Sequence, residues 1–278
     1  MNTEIQNKIE RIVAMLKNTV NDTPTIAIAG AHAKGQADPS SDIDIYLFTD
    51  DPKSYTERLE VIRSFCDANT TPWVSQELNM PWGGSMDFTY EGTPVEVVIR
   101  LFSHMEQRVF ESLLGHIEII PQTWTSNGYY SYIFLSELSF LKPLCDPNDR
   151  LTKMKASVQT YPPKLKAAII ETFMGRAWTW IQNFHYDTAV MRADTLFTAP
   201  IVLHTILDLI QVIFAINEEY FTGDKKLLQT LSKLAYCPKD LLQQLDKLLT
   251  AAPDAYDLKE QQQLLYKIFF DVKEHLPL

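Results

Sequence analysis

Two short segments decide how this chain is interpreted: Gly30-Ala31-His32-Ala33-Lys34-Gly35 and, five residues later, Ser41-Asp42-Ile43-Asp44. An apolar run precedes the first segment, and another begins inside the second; both are typical of buried strands. Asp42 and Asp44 are two residues apart at the entry to a strand, so their side chains point to the same face. Two carboxylates held this close repel each other unless a cation lies between them. The pattern therefore predicts a metal site at the end of a sheet.

The glycine-containing turn predicts an anion site beside that metal. Gly30–Gly35 directly follows a strand and can present backbone N–H groups at the start of a short helix, where anions bind. Mg²⁺ takes oxygen ligands, keeps several waters and completes its shell with substrate phosphates. A metal pair next to a phosphate-binding turn is an arrangement for phosphoryl or nucleotidyl transfer.

The distribution of strand and helix signals predicts an α+β fold with two domains. The first part of the chain combines an amphipathic first helix (about residues 4–20), two strands and a helix with Asp51 as its N-cap and Pro52 in its first turn. A hairpin follows, with a turn at Glu91-Gly92 and its second strand around Glu96. From His104 onward the sequence predicts only helices. We expect a small mixed-sheet domain over residues 1–102 and an all-α helical bundle over residues 103–278.

Composition and charge limit the classes of partner. The chain of 278 residues has 35 acidic and 25 basic residues. No stretch concentrates five or more Lys and Arg, so we expect no binding to duplex nucleic acid, which depends on clustered cations. The most apolar run, 201–216, is interrupted by His204, Asp208 and Gln211, which favours a buried helix over a membrane span.

The remaining signals favour the cytoplasm. Cys66, Cys145 and Cys237 are widely spaced and odd in number, as expected of reduced thiols. The first twenty residues lack a basic start followed by an apolar core, so no signal peptide is predicted.

The spacing Gly30-x-x-Ala33-x-Gly35-x5-Ser41-Asp42-x-Asp44 resembles the signature of the DNA-polymerase-β-like nucleotidyltransferases, Gly-Ser-x-Ala-x-Gly followed by Ser-Asp-x-Asp. This similarity covers about residues 25–100. The family places a third carboxylate on a later strand between apolar residues, and Glu96 fits that description. Asp87, on the partner strand of the hairpin, is the competing candidate.

Weaker similarity extends into the helical half. Tyr161-Pro162, Arg192-x-Asp194 and Tyr220-x-x-Gly223-Asp224-Lys225 resemble elements of bacterial proteins that join this fold to an all-helical domain. The lincosamide and aminoglycoside nucleotidyltransferases share that architecture. In such enzymes the helical domain offers basic side chains to the nucleotide, which makes Arg192 and Lys225 the candidates here.

The resemblance implies a two-Mg²⁺ nucleotidyltransferase. Asp42, Asp44 and Glu96 would hold the metals, with Glu96 also accepting a proton from the acceptor. Backbone groups of the turn would hold the phosphates of an NTP, with ATP expected; these residues are Gly30, Ala31 and Gly35. Ser41 is expected to order the turn before the strand and is counted among the nucleotide-binding residues. The acceptor would be a hydroxyl of a small molecule or of a protein.

One departure from the signature leaves other functions open. The family serine, whose hydroxyl contacts a donor phosphate, is Ala31 in this chain. Losing a hydrogen bond to a charged group costs roughly 1.5–3 kcal/mol. A nucleotide sensor that binds without transfer is therefore the alternative, and a transferase of the toxin–antitoxin type that modifies a protein is a third hypothesis. The sequence does not determine the oligomeric state.

Overall fold

The structure is a computed structural model that describes residues 3–38, 40–121, 125, 128–250 and 258–276. The chain is α+β, with a mixed sheet and a helical C-terminal region. The strands are β1 (Thr25–Ile28), β2 (Ile43–Thr49), β3 (Trp73–Val74), β4 (Gly84–Tyr90), β5 (Thr93–Leu101), β6 (Ile119–Ile120), β7 (Tyr129–Tyr130) and β8 (Lys142–Cys145). The helices are α1 (Thr3–Leu16), α2 (Gly30–Lys34), α3 (Tyr55–Phe65), α4 (Phe102–Leu113), α5 (Ile133–Phe140), α6 (Arg150–Ser157), α7 (Pro163–Ile181), α8 (Phe184–Met191), α9 (Thr195–Ile216), α10 (Leu227–Leu231), α11 (Leu241–Thr250) and α12 (Leu258–Lys273).

The chain forms two compact units, each built from two segments. The first unit contains Met1–Glu111 and Phe134–Thr160, and the second contains Ser112–Ile133 and Tyr161–Leu278. These units therefore do not follow the single boundary near residue 102 that the sequence predicts.

The first unit is organised by a mixed sheet. Within the described ranges its strand order is β3-β4-β5-β2-β1-β8. β2 and β5 run parallel, and the other neighbours are antiparallel. β4 and β5 are joined at Glu91 and Gly92, whose φ angles of 47° and 72° suit a two-residue hairpin turn. The predicted hairpin is confirmed.

Alternation along β2 gives the sheet two different faces. Ile43, Ile45 and Leu47 are buried in the same hydrophobic cluster as Ile12 of α1 and Ile62 of α3. A helix-covered face of this kind explains why apolar residues recur at every second position. The alternate residues of β2, beginning with Asp44, point to the opposite face.

A buried ion pair lies on that opposite face, further along the strands. Arg100 of β5 pairs with Glu137 of α5, and the hydroxyl of Tyr46 donates to Glu137 at 3.2 Å. The Arg100 guanidinium also lies over the ring of Phe134, 4.6 Å from its centroid. α5 therefore covers this part of the sheet and is fixed there by charge and ring contacts.

Two predictions about secondary structure are wrong. β8 joins the sheet beside β1, and β6 and β7 pair with each other, so the chain after His104 is not only helical. The N-cap of α3 is Ser54 instead of Asp51: the Ser54 hydroxyl accepts the Glu57 N–H at 3.4 Å, and the Glu57 carboxylate accepts the Ser54 N–H at 3.1 Å. This reciprocal pair satisfies two donors of the first turn, which Asp51 cannot do from its position.

The second unit packs around two long helices, α7 and α9. Ile169 and Phe173 of α7 and Ile206 and Ile213 of α9 are buried in its core. By length and composition α9 could cross a membrane, but 67% of its most apolar window is buried inside the protein. Such burial is typical of a core helix, as the sequence predicts.

Candidate metal centre

The three predicted acidic residues meet at one end of β2 and β5. Asp44 and Glu96 are directly opposite each other in the parallel register, and Asp42 precedes Asp44 by two residues. One carboxylate oxygen from each of Asp42, Asp44 and Glu96 lies within 4.8 Å of the others. Asp42 and Asp44 are half-buried and Glu96 is exposed. The backbone register, rather than side-chain flexibility, therefore gathers these carboxylates.

Gly30 allows α2 to approach Asp44 closely. Its φ is +56°, and a Cβ built at this position would lie 1.6 Å from Asp44 Oδ2. The preceding Ala29 N–H donates to the Asp44 carbonyl at 2.9 Å. Any side chain at residue 30 would therefore displace the Asp44 carboxylate, so the glycine and the aspartate form one structural feature.

The segment after Gly30 is itself a short helix. α2 ends at Gly35, whose φ of 69° is left-handed, and the Gln36 N–H donates to the Ala31 carbonyl at 2.9 Å. Gly30 and Ala31 therefore lie in the first turn of α2, beside the carboxylates, whereas Gly35 closes its other end. The phosphate contacts of Gly30, Ala31 and Gly35 stay predictions.

Ser41 orders the turn that leads into β2. Its hydroxyl accepts the Asp38 N–H at 2.9 Å, and its own N–H donates to the Asp38 carbonyl at 3.0 Å. These bonds account for the serine in this turn, and its predicted contribution to nucleotide binding stays a prediction.

His32 lies close enough to Asp42 for the carboxylate charge to act on the imidazole pKa. Burial lowers the pKa of His32, and the negative charge of Asp42 partly opposes that shift. Its Nε2 is buried and has no hydrogen-bond partner among the described residues. A neutral imidazole is therefore favoured beside the acidic group.

Asp87 is the neighbour of the three carboxylates on the far side of Glu96. In the antiparallel register of β4 and β5 it is directly opposite Glu96. Burial raises the pKa of Asp87, and the charge of Glu96 raises it further. Trp73 of β3 continues the same row opposite Asp87 and is largely exposed. The sequence does not predict that Trp73 lies beside Asp87, because β3 has only two residues and gives no recognisable strand pattern.

Arg192 and Lys225 belong to the second unit. Arg192 is the C-cap of α8, with its N–H donating to the Thr188 carbonyl at 3.1 Å, and Lys225 precedes α10. Both side chains are exposed. Their role at a nucleotide stays a prediction from the resemblance.

Comparisons with known proteins add little. No protein-family profile and no curated protein sequence matches this chain. Among solved structures, the chain is similar to a nucleotidyltransferase-like protein from Exiguobacterium sibiricum 255-15, with a TM-score of 0.48 and 10% identity over 97% of this chain and 74% of that one. Similarity at this level does not indicate a function.

Proposed function

We propose that this protein is a Mg²⁺-dependent nucleotidyltransferase that moves a nucleoside monophosphate from an NTP to a hydroxyl acceptor and releases pyrophosphate. The observation that carries the proposal is the placement of Asp42, Asp44 and Glu96, with oxygens within 4.8 Å of one another, beside the first turn of α2. The signature around Gly30 and Asp44 supports the same class of reaction.

The donor set suits a hard divalent cation. Asp42, Asp44 and Glu96 offer only carboxylate oxygens, which Mg²⁺ prefers, and the exposure of Glu96 leaves room for water and phosphate oxygens. These three residues would hold the metal. When bound, divalent metal would stabilise charge on the attacking and leaving oxygens.

Glu96 has a second role in the proposal. Its exposed carboxylate would accept the proton of the acceptor hydroxyl at Oε while the acceptor oxygen forms a bond to the α-phosphorus. The bond from that phosphorus to the β-phosphate bridging oxygen breaks, and pyrophosphate leaves. A carboxylate that acts as a general base in this way contributes typically 10²–10⁴-fold to the rate.

The remaining assignments follow the resemblance. The first-turn N–H groups of α2, at Gly30 and Ala31, would orient phosphates of the donor, because such groups have no partner within the helix. ATP is the proposed donor, and Arg192 and Lys225 are the proposed basic contacts. The proposed acceptors are small hydroxylated molecules or protein side chains, and the proposed compartment is the cytoplasm.

A nucleotide sensor is the second candidate function, and Ala31 is the observation that favours it. Without the serine hydroxyl the donor loses one hydrogen bond, while the carboxylates still provide a metal site. Such a protein would bind Mg²⁺ and an NTP without releasing pyrophosphate.

Pyrophosphate release tests the proposal. The protein is incubated with Mg²⁺ and labelled ATP, CTP, GTP or UTP against a panel of hydroxylated small molecules and proteins. The proposal predicts release with at least one donor, lost in Asp42→Asn and kept in Asp240→Asn, which removes an exposed charge in the second unit. Binding of an NTP without release across the panel would favour the sensor.

A further inference from the structure

A row of side chains crosses the open face of the sheet, the face opposite α1 and α3, from the metal centre to the sheet edge. Asp44 of β2 is opposite Glu96 of β5 in the strand register. Glu96 is in turn opposite Asp87 of β4, and Asp87 is opposite Trp73 of β3. Residues paired in this way project to the same face. The strands therefore carry the row from the carboxylates to an indole ring at the edge of the sheet.

The side chain of Trp73 is exposed, but its backbone is fixed. Trp73 is 66% exposed, whereas the next residue, Val74, is buried on the helix-covered face. The buried guanidinium of Arg58 on α3 donates to the Ser75 carbonyl at 3.0 Å and so anchors the end of β3. Because neighbouring strands are about 4.8 Å apart, the Trp73 backbone lies about 10 Å from that of Glu96. The indole is thus held at a set distance from the metal centre.

The donor side of the metal centre is opposite to Trp73. In the sheet, β1 and β5 flank β2 on its two sides, and α2 directly follows β1. Gly30 of α2 approaches Asp44 so closely that a Cβ there would lie 1.6 Å from Oδ2. In the proposed function α2 holds the donor phosphates, and pyrophosphate leaves on that side. Attacking and leaving oxygens lie roughly in line through the phosphorus, so the acceptor enters over Glu96 from the side of β4 and β3.

Helix α5 covers the open face further along the strands. Arg100, which follows Glu96 on β5, pairs with Glu137 of α5. Its guanidinium also lies 4.6 Å from the centroid of the Phe134 ring, which belongs to the same helix. An acceptor with its hydroxyl at Glu96 is therefore directed along the row, away from α5 and toward the exposed indole of Trp73.

Charge along the row limits the chemistry of the acceptor. Asp87 is half-buried and already accepts hydrogen bonds from the Val97 N–H and from Ser85, so it contributes mainly its negative charge. Together with the carboxylates of the metal centre, Asp87 repels an anionic acceptor. An indole face binds aromatic rings by stacking and cations by electrostatic attraction. The row therefore suits an aromatic ring that is neutral or positively charged.

We propose that Trp73 binds the acceptor by stacking on an aromatic ring about 10 Å from the reacting hydroxyl. This role rests on the proposed function and names its acceptor, a small hydroxylated molecule with an aromatic ring that carries no negative charge. A protein acceptor would need roughly 800 Å² of surface on each partner, whereas the row is a narrow strip. Trp73 selects the acceptor and takes no part in holding the NTP.

Phenylhexanol is the acceptor probe, because its chain can place the ring about 10 Å from the hydroxyl. Hexanol lacks the ring, and phenylmethanol holds the ring too near the hydroxyl. Calorimetry measures binding of each alcohol to the full chain with Mg²⁺ and a non-hydrolysable ATP analogue, and pyrophosphate release with ATP gives the acceptor KM. Phenylhexanol should bind most tightly of the three. Trp73→Ala should raise the Kd and KM for phenylhexanol by about 10- to 100-fold and leave the affinity for the ATP analogue unchanged.

Trp73→Phe keeps a ring and should retain most of the binding. Phe110→Ala is the matched control, because it removes another exposed aromatic side chain of the first unit, and it should change nothing. Equal binding of phenylhexanol by Trp73→Ala and the unmodified protein, or binding by neither, would overturn the acceptor role.

Two further results would overturn this role while the proposed function stands. One is a loss of affinity for the ATP analogue in Trp73→Ala, because the indole would then hold the nucleobase. The other is pyrophosphate release with protein acceptors alone. Ring-dependent binding of phenylhexanol without pyrophosphate release from any acceptor would instead overturn the proposed function and leave the ring site in place.

Discussion

Asp44 and Asp208 are both acidic residues in regular secondary structure, but their surroundings differ. Asp44 lies at the end of a sheet with two further carboxylates within 4.8 Å, in a position open enough that Glu96 is exposed. Asp208 lies in the middle of α9, is 2% exposed and accepts from Arg176 of α7 at 3.1 Å. One arrangement concentrates like charge near water, and the other neutralises a single charge in the core.

We propose that this difference separates a metal site from a structural ion pair. Concentrated like charge is unfavourable for folding, so its presence is explained best by a cation that binds it. A buried carboxylate with an arginine partner needs no ligand, although its desolvation remains costly. Burial accordingly raises the pKa of Asp208 to about 6 in spite of Arg176.

Glu96→Gln should reduce turnover on the order of 10²-fold or more, the scale of one general base. The change keeps the size of the side chain but removes its charge and basicity. NTP binding should weaken less, because Asp42 and Asp44 still offer carboxylates. Single-turnover pyrophosphate release beside equilibrium NTP binding measures both, with Glu60→Gln as the exposed control on α3. Full activity in Glu96→Gln would transfer the assignment to Asp87.

Gly30→Ala should weaken Mg²⁺–NTP binding by about 10- to 100-fold, the loss of one charged contact. The added Cβ would collide with Asp44 Oδ2. Gly92→Ala is the matched control: its φ is +72°, and no described atom lies within 4 Å of the added Cβ. Both variants introduce backbone strain at a positive φ, but only Gly30→Ala displaces Asp44. Calorimetric titration of both variants therefore separates the effect of displacing Asp44 from the effect of strain. Equal affinity in both variants would show that Gly30 does not position the site.

Ala31→Ser should tighten NTP binding by about tenfold, the low end of the range for one hydrogen bond to a charged group, since it restores a hydroxyl beside the donor phosphates. Ala37→Ser, at an exposed position outside α2, should change nothing. Fluorescence titration with a labelled NTP compares the two. Unchanged or weaker binding in Ala31→Ser would show that α2 does not hold the phosphates as the resemblance implies.

Asp208→Asn should remove a pH dependence of stability. The pKa of Asp208 is about 6 in the folded chain and 3.8 ordinarily, so the folded state binds its proton more tightly. Protonated Asp208 therefore contributes to the stability of the folded state. This stabilisation is complete below about pH 4 and is lost as pH rises through 6, with a loss of about 1 kcal/mol between pH 5 and 7.

Urea unfolding of the unmodified protein and of Asp208→Asn gives the free energy of unfolding of each at pH 5 and pH 7. The difference between the two proteins in the change over this interval is the contribution of Asp208. Arg176 and Trp180 are the side chains that lower the pKa of Asp208 against the effect of burial, and both stay in the variant. The variant should lose about 1 kcal/mol less than the unmodified protein over this interval. An equal loss in both would mean that Asp208 titrates normally.

The sequence predicts that Asp44 and Glu96 lie on strands, but it does not predict how those strands pair or which other strands join the sheet. Apolar runs around Asp44 and Glu96 identify two strands, but their parallel register depends on packing against α1 and α3. β8 escapes prediction because Pro143 interrupts a four-residue strand, and its partner β1 lies more than a hundred residues earlier. The exposed apolar side chains Phe184, Met191 and Leu196 are of the same residue types as core side chains, so sequence alone does not distinguish them.

Titration calorimetry of Mg²⁺ with each NTP tests whether Asp42 and Asp44 hold a metal together with an NTP. Asp42→Asn and Asp44→Asn each remove one charge at a half-buried position and should leave the fold intact. We expect the unmodified protein to bind at least one Mg²⁺–NTP, both variants to lose most of this binding, and Asp240→Asn to retain it. Unchanged affinity in either aspartate variant would contradict the metal centre.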